Sequence, residues 1–180
     1  MRALPYFLLV TALSLPAAAQ QPLTRDALIS ALSGFESQPE AAEVRRWGAG
    51  AVPLLASVVD DGDVVVGTRA RAAYALRVFL TDPAALSLLQ RLVAQADGNL
   101  FVRLAAMDAL AEGGAPLAPI TAQLASPDSD LRAGAAASLS RAQNVSAARA
   151  ALTARLRVES DPAVRLRLDQ SLRRISTPAR

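Results

Sequence analysis

The sequence contains no cysteine, no histidine and no lysine: all 19 of its basic residues are arginine. Without cysteine there are no thiolate nucleophiles, thiolate metal ligands or disulfides. Without histidine the commonest general base and metal ligand is gone. Without lysine there is no amine for a Schiff base and no phosphate-loop lysine. An Arg-only, Ala-rich composition is also what a GC-rich coding genome produces, so the lysine gap is read as mutational bias and not as function. Aromatics are scarce at 4%, although hydrophobic residues make up 52% of the 180. A β-sandwich of this length calls for more Val, Ile, Thr and aromatic residues. Here the apolar share rests on Ala and Leu, both strong helix formers. The expectation is an all-α chain with room for one domain or one short repeat array.

Long apolar runs are also rare, and the clearest one stands at the start. Met1-Arg2 gives a short positive beginning, Tyr6 to Leu15 an apolar stretch, Pro16 a break, and Ala17-Ala18-Ala19 small residues. That order is the order of a secretory signal peptide, residues 1–19, with cleavage after Ala19. Its ten-residue apolar stretch is well short of the roughly 20 needed to span a bilayer. No later segment is long and uncharged enough to span one. With no cysteine after the cleavage site, a lipoprotein anchor is excluded. The expected location is a bacterial periplasm or the outside of the cell.

What is abundant is repetition, and internal periods decide a fold before anything else does. An apolar or small residue, an Arg, an Ala-rich stretch and a Leu seven residues after the Arg recur four times. They are Thr68-Arg69 to Leu76, Val102-Arg103 to Leu110, Leu131-Arg132 to Leu139 and Val164-Arg165 to Leu172, at Arg-to-Arg steps of 34, 29 and 33 residues. A second apolar helix pattern precedes each: Val52 to Val59, Leu86 to Val93, Leu117 to Leu124 and Ala148 to Leu156. Leucines and valines at i, i+3, i+4 and i+7 give each of these helices one apolar stripe. Turn residues separate the members of a pair: Asp60 to Asp63, Asp97 to Asn99, Ser126 to Ser129 and Glu159 to Pro162. Residues 50–175 are therefore expected to form about four helix pairs. Residues 20–49 supply a less regular N-terminal cap, with helices near Arg25 to Leu32 and Pro39 to Trp47, and 176–180 a tail. A lone pair cannot bury its apolar face, so the pairs must stack.

On these residues the chain resembles the HEAT-like (short HEAT repeat) family over roughly 50–175. The resemblance implies an α-solenoid of stacked antiparallel helix pairs, with a groove lined mainly by the second helices. In that family an acidic residue closes the inter-helix turn and a Val-Arg pair opens the second helix. Six residues before each repeat arginine this chain has Asp63, Asp97, Ser126 and Glu159, so an acid–arginine ladder should be interrupted in the third unit. The first unit departs as well, with Thr68 in place of valine and an apolar insert, Val64 to Gly67, in its turn.

The repeat arginines Arg69, Arg103, Arg132 and Arg165 recur at one position, which favours a stacking and capping role over ligand binding. Charge is distributed unevenly. Residues 20–131 hold 8 Arg and 13 acids, and residues 132–180 hold 10 Arg and 3 acids. The candidate partner-binding set is the dense part of that basic third: Arg149, Arg155, Arg157, Arg165, Arg167, Arg173 and Arg174. Such a set suits an anionic partner (an acidic protein surface, lipid head groups or a polyanion), or serves only as a solvated cap on the array. Nucleic acid is disfavoured by export and by the absence of any Phe, Tyr or Trp beyond Phe101. Asp60-Asp-Gly-Asp63 lacks the spread of ligands of a calcium loop and reads as a capped turn. Asn144-Val-Ser146 reads as a chance sequon, and Trp47 as a packing residue between the cap and the first repeat. With no Gly-x-Ser-x-Gly elbow, phosphate loop or metal-spaced cluster, no enzyme activity, metal or cofactor is expected. The expected function is a protein-interaction scaffold of the cell envelope, binding through the groove or the basic third. The alternatives are an accessory subunit of an envelope complex or, behind it, an enzyme of unknown reaction. Partner identity and oligomeric state are not written in the sequence.

Overall fold

Helices begin where a side chain can take up backbone N–H groups that have no partner in the first turn. Thr24, Asp82, Asn99, Asp128 and Asn144 each accept such a bond, and Asp161 does so from the Ala163 and Val164 N–H groups. The computed structural model describes residues 23–34 and 39–176; the expected signal peptide and the last four residues lie outside the described residues. The helices are α1 (Arg25–Ser33), α2 (Ala41–Arg46), α3 (Ala51–Asp60), α4 (Val66–Ala75), α5 (Pro83–Ala94), α6 (Leu100–Glu112), α7 (Ala118–Gln123), α8 (Ser129–Leu139), α9 (Val145–Val158) and α10 (Pro162–Ser176). A 3₁₀ turn, Leu76–Phe79, continues α4. The described chain is all-α, and each expected repeat helix has a counterpart in α3 to α10. The apolar insert of the first unit is only partly a turn, because Val66 and Gly67 are already helical. Val65 takes the N-cap place there without a side-chain bond.

Every substantial contact runs between neighbours. Within pairs, α3 packs on α4, α5 on α6, α7 on α8 and α9 on α10. Between pairs, α4 packs on α6, α6 on α8 and α8 on α10, while α3 meets α5 and α5 meets α7. The sequence of α6 explains its central place. It buries Val102, Arg103, Ala106, Met107, Ala109, Leu110 and Ala111, so more than half of its circumference is covered, and Phe101, Ala105, Asp108 and Glu112 are left on the remaining face. The last described helix, α10, buries only Val164, Leu168 and Ser171 and presents a one-sided, arginine-rich surface. The recurring leucines Leu76, Leu110 and Leu139 are fully buried, each contributing about 2 kcal/mol of transfer free energy.

Alanine and glycine on the second helices set how closely they approach. A Cβ on Gly134 of α8 would come within 2.1 Å of a Leu104 methyl on α6. A Cβ on Gly113 would meet the Arg77 and Ala109 carbonyl oxygens at 2.8 Å, besides a Leu80 methyl. The next residue, Gly114, has φ +79 and closes α6 as the Ala115 N–H bonds back to the Leu110 carbonyl at 3.0 Å. That left-handed position suits glycine because it has no Cβ to clash.

Candidate functional site

With the units aligned on their arginines, the positions that form the core separate from those on the surface. Three, four, six and seven residues after Arg69, Arg103 and Arg132 stand Ala72, Ala73, Ala75 and Leu76; Ala106, Met107, Ala109 and Leu110; Ala135, Ala136, Ser138 and Leu139. All twelve are buried. Five residues after each repeat arginine stand Tyr74, Asp108, Ala137 and Gln170, and nine after stand Val78, Glu112, Arg141 and Arg174. These second positions differ in every unit, and several of them lie together on the face made by α4, α6 and the end of α8.

An open cleft of about 430 Å³ on that face is lined by Gly67, Ala70, Arg71 and Tyr74 of α4, Ala105, Asp108 and Glu112 of α6, and Arg141. A neighbouring cleft of about 380 Å³ lies between α6 and α8 and adds Leu104, Asp130, Ser138 and Arg167. The polar groups are linked. Tyr74 Oη donates to Glu112, and the Arg77 guanidinium lies 4.0 Å from the centre of the Tyr74 ring. Arg141 donates to Asp108 and lies 3.8 Å from Glu112, and Ser138 Oγ donates to Asp108 at 2.6 Å. Burial raises the Asp108 carboxyl above its ordinary value, against the pull of Ser138 and Arg141. Burial and the bond to Glu112 push the Tyr74 phenol up to about 12. Tyr74 therefore stays protonated and donates, which makes it a holding group and a poor nucleophile. Phe101 on the first turn of α6 is 63% exposed, an apolar ring standing in water.

The arginine set expected from sequence is divided by the structure. Arg155 pairs with Glu159 at 2.7 Å, and Arg165 donates to the Leu156 and Glu159 carbonyls at 3.1 and 2.7 Å. Arg149 ties α9 to the end of α10 through Ser176 Oγ at 2.9 Å and the Ile175 carbonyl. Arg173 is exposed and engaged in an interaction of its own. Arg157, Arg167 and Arg174 are exposed and bond to no other described residue. Of the seven, Arg167 is the one that lines the cleft shared with Asp108 and Arg141.

Repeat arginines reach back to carbonyls of the helix before them or of the turn that follows it. Arg69 donates to the Val59 carbonyl at 2.9 Å, Arg103 to Val93 at 3.1 Å, and Arg132 to Ser126 and Pro127 at 3.0 Å. The expected ladder has one rung among the described residues: Arg132 with Glu159, at 2.9 Å. Asp63 and Asp97 pair with no arginine among the described residues. Instead Asp61 pairs with Arg25 and Asp60 with Arg91, so the acidic first turn is an anchor for α1 and α5. Asn144 is the cap of α9, and Trp47 packs partly buried against the core. No cluster of three metal-capable side chains occurs among the described residues.

Tyr74, Asp108, Glu112 and Arg141 were not singled out by sequence reasoning. The signal was a lone polar side chain inside an Ala-rich helix: Tyr74 within Arg71 to Leu76, and Asp108 within Leu104 to Leu110. No protein-family model matches the sequence, and no curated protein is significantly similar to it, so a functional reading rests on the site itself.

Proposed function

We propose that this chain is a non-enzymatic interaction scaffold of the cell envelope or extracellular space. In this reading the helix pairs stack as a short HEAT-like solenoid, and a protein partner docks on the face of the second helices, reaching toward the basic last pair. The observation that carries it is the contrast on α4, α6 and α8. The buried positions are nearly the same from unit to unit, while the cleft positions differ and hold a pre-ordered set of donors and acceptors. Repeat arrays stabilise themselves through their common positions and recognise through the others. Exposed aromatic and arginine side chains beside a cleft are what a partner's side chains engage most strongly. The neighbour-only packing of α3 to α10 supports the solenoid arrangement. The absence of histidine, cysteine and lysine removes the commonest general base and the thiol and side-chain amine nucleophiles.

The test is capture of partners from the native envelope fraction with three tagged forms. One is the wild type, one carries Ala70→Glu and Phe101→Glu, and one carries Arg157→Ser and Arg174→Ser, with Arg167 kept because it lines the second-helix cleft. Arg155 and Arg165 are left intact because they hold the last turn together. Loss of the captured partner with the first variant assigns the second-helix face, and loss with the arginine variant alone moves the site to the basic end. A wild type that captures nothing under crosslinking contradicts the scaffold reading.

A further inference from the structure

The third and fourth turns share a backbone pattern but differ in one side chain that decides the local charge. Glu159 stands six residues before Arg165, and Ser126 stands six before Arg132. At the fourth turn Glu159 is 3% exposed and accepts from the Asp161 N–H at 3.0 Å. Arg132, from the unit before, grips both its oxygens through Nε at 2.9 Å and a terminal nitrogen at 3.2 Å. At the third turn Ser126 Oγ makes the equivalent bond to the Asp128 N–H at 3.2 Å, but it is too short to reach further.

Arg103 is the counterpart of Arg132 there, and it meets no carboxylate. It is 7% exposed and bonds to neutral acceptors: the Val93 carbonyl at 3.1 Å, the Ala96 carbonyl at 3.4 Å and Gln123 Oε1 at 3.0 Å. Its Nε–H is buried with no acceptor. The second arginine on Glu159, Arg155, is replaced at the corresponding place by Ala122. What remains is an open cleft of about 370 Å³ lined by Arg103, Ala122, Gln123, Ser126 and Asp128. Asp128 is occupied in capping α8 and forms no ion pair with Arg103. A buried guanidinium with unused donors and no counter-ion favours any carboxylate that can enter.

We propose that this cleft is an anion site for a carboxylate supplied from outside the chain, seated where Glu159 sits at the next turn. Both carboxylate oxygens face the Nε and terminal N–H groups of Arg103, the planar pairing that guanidinium favours. Gln123 is the group displaced. The site lies at the inter-helix turns of the neighbouring α5–α6 and α7–α8 pairs, apart from the second-helix face, so its failure leaves the scaffold reading intact and the reverse also holds.

The test follows the Arg103 Nε–Hε signal by nitrogen-edited NMR of the purified protein. Sodium acetate, capped Ala-Glu-Ala and capped Ala-Gln-Ala are added in turn at matched chloride. The expected result is a saturable shift with acetate and with the Glu peptide, the latter at least about tenfold tighter than the Gln peptide. Tighter binding of the Glu peptide than of acetate identifies a polypeptide side chain as the natural source, and the opposite order a small free acid. The Ser126→Glu variant fills the site from within. It is expected to lose both responses and to melt about 3 °C higher. A shift that never saturates, or a Ser126→Glu protein that binds like the wild type, overturns the proposal.

Discussion

At the turn before α10 two arginines converge on the buried Glu159, while at the turn before α8 a buried arginine has only neutral acceptors. The backbone is the same in kind at both places: a polar side chain accepts the N–H two residues on, and an aspartate caps the helix that follows. The difference is a carboxylate present in one unit and absent in the other. The comparison teaches that a repeat position can serve as closed structure in one unit and as an open site in the next. What decides is whether the buried charge is answered from within.

The strongest way to break the comparison is to make the fourth turn like the third. Glu159→Ala leaves Arg132 and Arg155 facing each other with only the carboxylate of Asp161, 4.0 Å from Arg132, as counter-ion, and is expected to cost about 3 kcal/mol by urea denaturation. A loss no larger than that of an ordinary surface change would mean that the two turns are equivalent. A second contrast lies between close approaches of the second helices. Gly113→Ala drives a methyl into backbone carbonyls and should cost about 2 kcal/mol. Gly134→Ala meets only the tip of Leu104, which can rotate, and should cost less than about 1 kcal/mol.

Acid titration sharpens the same comparison. Burial alone would raise the Glu159 carboxyl, but bonds from Arg132, the Asp161 N–H and Arg155 outweigh it and bring it from 4.5 down to about 2. A carboxyl depressed in the folded state stabilises above its unfolded value, and that contribution is lost as pH falls through the folded one. The melting temperature should therefore drop between about pH 4.5 and about pH 2, and Glu159→Gln should flatten that slope. Asp108, raised mainly by burial, has the opposite sign: its contribution is present at low pH and is lost as pH rises through its folded value. The smallest effect is expected at the exposed Arg91–Asp60 pair, where Arg91→Ala should change stability by less than about 0.5 kcal/mol.

The helices were legible beforehand because the positions that pack one helix on the next recur along the sequence. The Arg-to-Leu spacing located α4, α6, α8 and α10, and the Gly, Pro, Asn and Asp turns located their starts. The carbonyl-capping role of the repeat arginines was legible for the same reason. The cleft was not, because it is made of positions that do not repeat. Tyr74 and Glu112 are 38 residues apart and meet only when α4 packs on α6. The basic third looked like one feature in sequence because charge counts ignore direction. Packing then assigned Arg155 and Arg165 to the last turn and Arg149 to the end of α10, leaving Arg157, Arg167 and Arg174 exposed without bonds to other described residues. The open place beside Arg103 was foreshadowed by Ser126, the one departure from the acidic turn position.

The most direct measurement of the scaffold account is site-specific photocrosslinking in the native host. A photoreactive phenylalanine is placed at Ala70 or Phe101 on the second-helix face, and at Ser57 or Ser87, which are exposed on α3 and α5. The account predicts one discrete adduct from positions 70 and 101 and none from 57 and 87. Adducts confined to 57 or 87, or absent from all four, would contradict it.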